Sequence, residues 1–280
     1  MFDDGGISEI GRGHLRGAGD RSFTIYRYDP APPSQQWLRV FWIPVWEVPG
    51  GEVREQRILT YPVCLLSISA EYARLVGPRM TAARVPLTGS GWTFGVMLRP
   101  GAGRTLLGRD VSALTNRHLD LAEIPLLAGV VSGIRTLMRE QPGLPAAHAA
   151  ARALLEERFS LLGPVDSGAA LINRVVARVE EDPGITTVAA LCGAFGLKER
   201  TLQRLCSRYL GLTPRWLIRQ RRLQDAGQAL RSGAGSLSAI AAGLGYADQA
   251  HFSRNFRRAT GWTPGEFAEL ANPLGNGGRG

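Results

Sequence analysis

Two segments fifty residues apart carry the side chains best suited to chemistry. The first reads RTLQRLCSRYLG from Arg200, the second QAHFSRNFRRATG from Gln249. Apolar residues recur in both at three- and four-residue spacing, which predicts two amphipathic helices. Phe252 and Phe256 stand at i, i+4 on one face of the second. Leu202, Leu205 and Tyr209 make the corresponding face of the first. Off that face lie Arg200, Gln203, Arg204, Ser207 and Arg208 in the first helix, and Gln249, Arg254, Arg257 and Arg258 in the second. Arg and Gln are the side chains that read guanine and adenine edges through paired hydrogen bonds in a major groove. Arginines nearer a helix end suit phosphates. One such helix could equally be a solvated basic face, but two with matched arginines favour a polyanion. A membrane-surface helix would need its apolar face open to lipid, whereas here that face is needed to pack a small helical domain.

An internal repeat positions these helices. An offset of 50 matches Leu202 with Phe252, Arg204 with Arg254, Arg208 with Arg258 and Gly211 with Gly261. Upstream an offset of 49 matches Thr187 with Ser236, Leu191 with Ile240 and Gly196 with Gly245. Each copy predicts a short helix, a glycine turn and a second helix. Thr187 and Ser236 suit N-caps, the small Cys192 and Ala241 allow close helix approach, and Gly196 and Gly245 suit an exit with positive φ. Asp248 can cap the second of the two basic helices. Between the copies, PRWLIRQRRLQDAGQALRSG predicts a connecting helix entered at Pro214 and left at Gly233. About 17 residues give roughly 25 Å of helix, which can hold two recognition helices about one DNA turn, near 34 Å, apart.

From about Ile172 to Ala271 the chain resembles the DNA-binding domain of the AraC/XylS family of bacterial transcription regulators. The carrying text is LSAIAAGLGYADQAHFSRNFRRATGWTP, with VAALCGAFGLKERTLQRLCSRYLGLTP as a degenerate first copy. The resemblance implies that Arg200, Gln203, Arg204, Gln249 and Arg254 contact bases. Ser207, Arg208, Arg257 and Arg258 would then contact the backbone. Two departures stand out. Lys198 occupies the place of a capping Ser or Asn, where a cation opposes the helix dipole. Cys206 stands where the second copy has Phe256, so looser packing of the first unit is expected. The N-terminal portion resembles the β-rich, cupin-like sensory and dimerisation domains of many family members, and LRPGAGRTLLG is similar to a motif of an uncharacterised subgroup.

The rest of the sequence agrees with a two-domain α+β protein. Residues 22 to about 107 read as short aromatic and β-branched strands, the mark of a small sandwich or barrel. Helical periodicity takes over after Asp110. Residues 1–21 and 273–280 read as flexible, 22–165 as an effector-binding or dimerising domain with a helical end, and 166–272 as the DNA-binding domain, its two units at about 187–210 and 236–260. Of the +9 net charge, residues 170–280 hold +7, with 15 basic against 8 acidic side chains. Localised positive charge of this kind points to a polyanion. The aromatic cluster Trp37, Phe41, Trp42 and Trp46 is a candidate effector pocket, with strand packing as its plainer reading. No signal peptide or membrane span is read, so a cytoplasmic protein is expected. The expected partners are double-stranded DNA, a small-molecule effector, a second copy of the chain and, for an activator, RNA polymerase. No cofactor or metal is expected, since the cysteines and histidines lack ligand spacing. No nucleophile with a paired base marks an enzyme. A constitutive DNA binder with a purely dimerising N-terminal domain, and an enzyme fused to a DNA-binding module, are the competing readings.

Overall fold

Alternating apolar residues build the N-terminal half as strands. The computed structural model describes residues 23–58, 61–81, 83–233 and 235–271; the leader 1–21 and the tail 273–280 lie outside them. Six strands, β1 (Phe23–Tyr28), β2 (Leu38–Glu47), β4 (Leu65–Ser69), β5 (Ala73–Val76), β7 (Ser90–Leu98) and β8 (His118–Asp120), form one antiparallel sheet in the order β1-β2-β7-β4-β5-β8. A separate two-stranded ribbon pairs β3 (Arg54–Ile58) with β6 (Ala83–Leu87). The N-terminal region is thus strand-rich as expected, arranged as one open sheet plus a ribbon.

One face of the sheet buries Phe41, Ile43, Leu66, Ile68, Leu75, Phe94 and Val96. Against it pack Ile134 and Met138 of α2 (Val130–Met138) and Ala151, Leu155 and Phe159 of α3 (Pro145–Ser160). Strand β7 is followed by a short helix, α1 (Ala102–Leu107). The helical reading after Asp110 needs one correction. Residues 118–120 instead add strand β8 to the sheet edge. Pro125 biases the preceding Ile124 to an extended conformation, φ −109°, ψ 101°, which stops a helix from running through this stretch.

The C-terminal region is helical throughout: α4 (Ser167–Glu181), α5 (Val188–Phe195), α6 (Glu199–Leu210), α7 (Pro214–Arg231), α8 (Leu237–Gly243), α9 (Gln249–Thr260) and α10 (Pro264–Ala271). The long helix α7 belongs to two cores. Its first half sends Trp216, Leu217 and Ile218 into a cluster with α4, α5 and α6. Its second half sends Leu223, Ala226 and Leu230 into another with Ile240, Phe252, Phe256 and Phe267. Both helix-turn-helix units are therefore fixed to one rod.

Candidate nucleic-acid interface

The local chemistry of each unit follows its sequence. Thr187 Oγ1 accepts the Ala190 N–H at 3.1 Å to start α5, and Ser236 Oγ accepts the Ala239 N–H at 3.2 Å to start α8. The chain leaves α5 and α8 through Gly196 and Gly245, at φ +62° and +68°, a region that costs glycine nothing. Asp248 Oδ1 accepts the His251 N–H at 2.6 Å and caps α9. Lys198 makes no such bond at the head of α6. Phe252 and Phe256 are fully buried, in an aromatic file with Tyr246 and Phe267 at centroid spacings of 5.3 to 5.7 Å. Cys206, where looser packing was expected, is also fully buried between Leu202 and Tyr209. Burial, with Cys192 nearby, pushes its thiol up to about 12.

The predicted contact residues fall into three groups. Arg200, Arg204, Ser207, Gln249, Arg254 and Arg257 are exposed. Among the described residues, Arg204 and Arg254 have neither a hydrogen bond nor an ion pair, so their guanidinium groups are free to meet a ligand. Gln203 and Arg258 are exposed but steered from within their own helices. Gln203 Nε2 donates to Glu199 Oε1 at 2.9 Å, and Arg258 Nη2 donates to Asn255 Oδ1 at 3.0 Å. Arg208 stands apart. It is half-buried, and its Nε lies 3.4 Å from Asp110 Oδ1, an oxygen that also receives Arg104 Nε at 3.2 Å. The repeat equates Arg208 with Arg258, yet the outward position expected for Arg208 is taken up by a carboxylate 98 residues away.

Asp110 belongs to a seam that joins the first unit to the sheet-bearing region. Thr115 Oγ1 donates to the Gly211 carbonyl at 2.8 Å, directly after α6. Gly101 N–H donates to Asn173 Oδ1 of α4 at 2.8 Å, and Arg39 makes two 2.9 Å bonds to the Glu180 carboxylate. Tyr209 of α6 donates its hydroxyl to Asp166 Oδ1 at 2.7 Å. Burial raises the Asp166 pKa, but hydrogen bonds from Ala169, Tyr209 and Gly168, with the charge of Arg104, outweigh it and hold the carboxyl below its ordinary value. None of these seam residues was singled out as functional from sequence, because each partner is remote along the chain.

The candidate effector residues do not line one cavity. Trp37 and Phe41 are buried in the sheet's main core. Trp42 and Trp46 are half-buried on the opposite face, where they lie across Gly95 and Gly91 of β7. The period of two along a strand accounts for the split: position 41 and positions 42 and 46 face opposite ways. An open groove of about 690 Å³ lies instead between α2 and α3, lined by small residues such as Ser132, Gly133, Ala150 and Ala153. His148 is fully buried. Its Nδ1 lies 2.8 Å from the Tyr28 hydroxyl, and its Nε2 lies 2.6 Å from the Pro142 carbonyl. Only Nε2–H can donate to that carbonyl, which leaves Nδ1 to accept from Tyr28. Burial foremost lowers the His148 pKa. Among the described residues no helix is long and apolar enough to cross a membrane.

Two separate stretches of the chain match known domain families. Residues 191–269 match a helix-turn-helix domain family, and residues 26–120 match a domain of unknown function, DUF6597. The HTH-type transcriptional activator RhaS of Escherichia fergusonii is 35% identical over 111 residues, 39% of this chain and 40% of that protein. RhaS of Enterobacter sp. strain 638 is 34% identical over 120 residues, 41% and 42% of the two chains. The chain thus spans about two-fifths of the length of these curated relatives. Among solved structures, ToxT from Vibrio cholerae O395 overlaps 91% of this chain and all of its own at 15% identity, with a TM-score of 0.39. The C-terminal domain of AraT from Geobacillus stearothermophilus overlaps 37% of this chain and 88% of its own at 21% identity, with a TM-score of 0.34. Likeness this loose decides neither fold nor function. The sequence matches and the paired units on one rod do agree, and the C-terminal part of the chain is a helix-turn-helix domain of the AraC/XylS type, carried behind a domain of unknown function.

Proposed function

We propose that the chain is a sequence-specific DNA-binding transcription regulator that places α6 and α9 in successive major grooves on one face of a duplex. One observation carries the reading. The two recognition helices present an arginine at the matched position, Arg204 and Arg254, and both are exposed with no protein partner among the described residues. In this reading Arg200, Gln203, Arg204, Gln249 and Arg254 meet base edges, and Ser207, Arg257 and Arg258 meet phosphates. The test is affinity for the DNA upstream of neighbouring genes beside a mixed-sequence duplex, across a salt series. Arg254→Ala should cost about 1–3 kcal/mol on the preferred site and little on the mixed duplex. Equal losses on both would sink base reading by this residue, and a flat salt response would sink DNA binding as a whole.

The seam supports an effector-responsive regulator over a constitutive one. A change in the region before residue 165 can reach α6 through Asp110 and Thr115, and α4 through Gly101. A small molecule that binds that region should raise the melting temperature of the full chain and change its DNA affinity. A ligand that raises the melt and leaves affinity unchanged would favour the constitutive reading.

A further inference from the structure

The connector α7 carries a row of cations that the two recognition helices do not account for. Arg215, Arg219 and Arg222 recur at four- and three-residue spacing and so share one side of the helix. That side faces the second unit: the Arg222 guanidinium sits 4.4 Å from the centroid of the Tyr246 ring, a cation–π contact. Arg219 lies near enough to Arg258 of α9 and to Arg215 for both to disfavour its charged form, after burial, the largest cause; only Tyr246 opposes them.

Among the described residues no carboxylate pairs with Arg215, Arg219, Arg222 or Arg258. The acids on α7, at the head of α9 and at the start of α10 are engaged elsewhere. Asp225 holds Arg221 at 2.6 Å, Asp248 caps α9, and Glu266 accepts the Thr263 N–H. The Nε atoms of Arg219 and Arg222 are buried without a partner. Arg215 also stands in the first turn of α7, where the helix dipole disfavours a cation. Clustered cations that lack a counter-charge destabilise a fold unless an anion is supplied from outside.

We propose that Arg215, Arg219 and Arg258 together hold one phosphate of the DNA backbone, which makes α7 a contact surface as well as a spacer. The proposal rests on the DNA-binding reading and extends it to residues outside both recognition helices. Asn255 holds Arg258 in place through its 3.0 Å bond, and the Tyr246 ring holds the neighbouring Arg222 guanidinium.

The experiment titrates the full chain with a mixed-sequence duplex long enough to offer two major grooves, over a series of KCl concentrations. Wild type is compared with Arg219→Gln and Arg219→Lys, each with a melting curve. Arg219→Gln removes the cation between the other two, so it should release the shared phosphate, bind about tenfold more weakly and show a salt slope shallower by up to about one, the whole contribution of that phosphate. Arg219→Lys should keep the wild-type slope. Should Arg219→Gln lower the melting temperature, the exposed Arg215→Ala reads the same slope. Wild-type affinity and slope in Arg219→Gln, while Arg254→Ala still loses its preferred site, would overturn the clamp and leave the DNA reading standing. A melt raised by millimolar inorganic phosphate in wild type but not in Arg219→Gln, with duplex binding unchanged, would also overturn it by assigning the site to a free anion. Absence of duplex binding by wild type would remove the DNA reading itself, and the clamp with it.

Discussion

Arg208 and Arg258 are equivalent by the repeat and unlike in the fold, and the difference is measurable. Arg258 is exposed, whereas Arg208 shares Asp110 with Arg104. A cation already matched by a carboxylate releases few counterions when DNA arrives. Arg258→Ala should therefore reduce the salt slope by about one, and Arg208→Ala should leave it nearly unchanged. Equal slopes in the two variants would show that Asp110 gives way to phosphate. His148 offers a second test at this scale. Its folded pKa is depressed, so between the folded value and about 6.5 the unfolded chain binds more protons. Stability in that window rises with pH: it is fully present above about 6.5 and is lost as the pH falls toward the folded value. Chemical denaturation at a series of pH values should show this loss, and His148→Gln should flatten it. A slope unaltered by the substitution would assign the loss to other groups.

At the scale of the element, the two recognition helices differ in how they begin. Asp248 caps α9, and Lys198 leaves the corresponding donors of α6 without a side-chain acceptor. Ala in place of a capping Asp costs about 1 kcal/mol, so Asp248→Ala should lower the stability of the second unit by about that amount. Lys198→Asp should do the reverse for α6, since it adds an acceptor and removes a cation from the positive end of the dipole. Thermal melts of both variants check the pair. The opposite sign at Lys198 would mean that its charge already serves the fold.

At the scale of the whole molecule, the seam can be separated from backbone strain by comparing two glycines. Gly196 and Gly211 have nearly the same left-handed φ, +62° and +65°. A Cβ on Gly196 would meet nothing within 4 Å, whereas on Gly211 it would run into Thr115 and the Val111 carbonyl across the seam. Gly196→Ala should cost only the left-handed penalty, about 1–2 kcal/mol. Gly211→Ala should cost more, and the excess measures how firmly α6 is docked on the N-terminal region. Denaturant titration of the full chain gives both values; equal losses would mean that the seam yields without resistance. A docked α6 also sets the reach of the first unit, because α7 continues from it after Gly211 with only a two-residue turn.

The sequence by itself determined what depends on neighbours along the chain. Caps at Thr187, Ser236 and Asp248, left-handed exits at Gly196 and Gly245, and the apolar faces of α6 and α9 are all set within a turn or two of helix, so the repeat exposed them. It also placed the exposed Arg204 and Arg254, since a helix that buries Leu202 or Phe252 has to turn the residue two positions on away from the core. Strand periodicity already held the split of Trp42 and Trp46 from Phe41, but composition grouped them. Only the tertiary structure decided the rest. Pairing of Arg208 with Asp110, burial of His148 against Tyr28, and the approach of Arg258 to Arg219 all depend on which distant surfaces meet. Those meetings are set by the shape of the packed cores, a property of the assembled chain that no local spacing encodes.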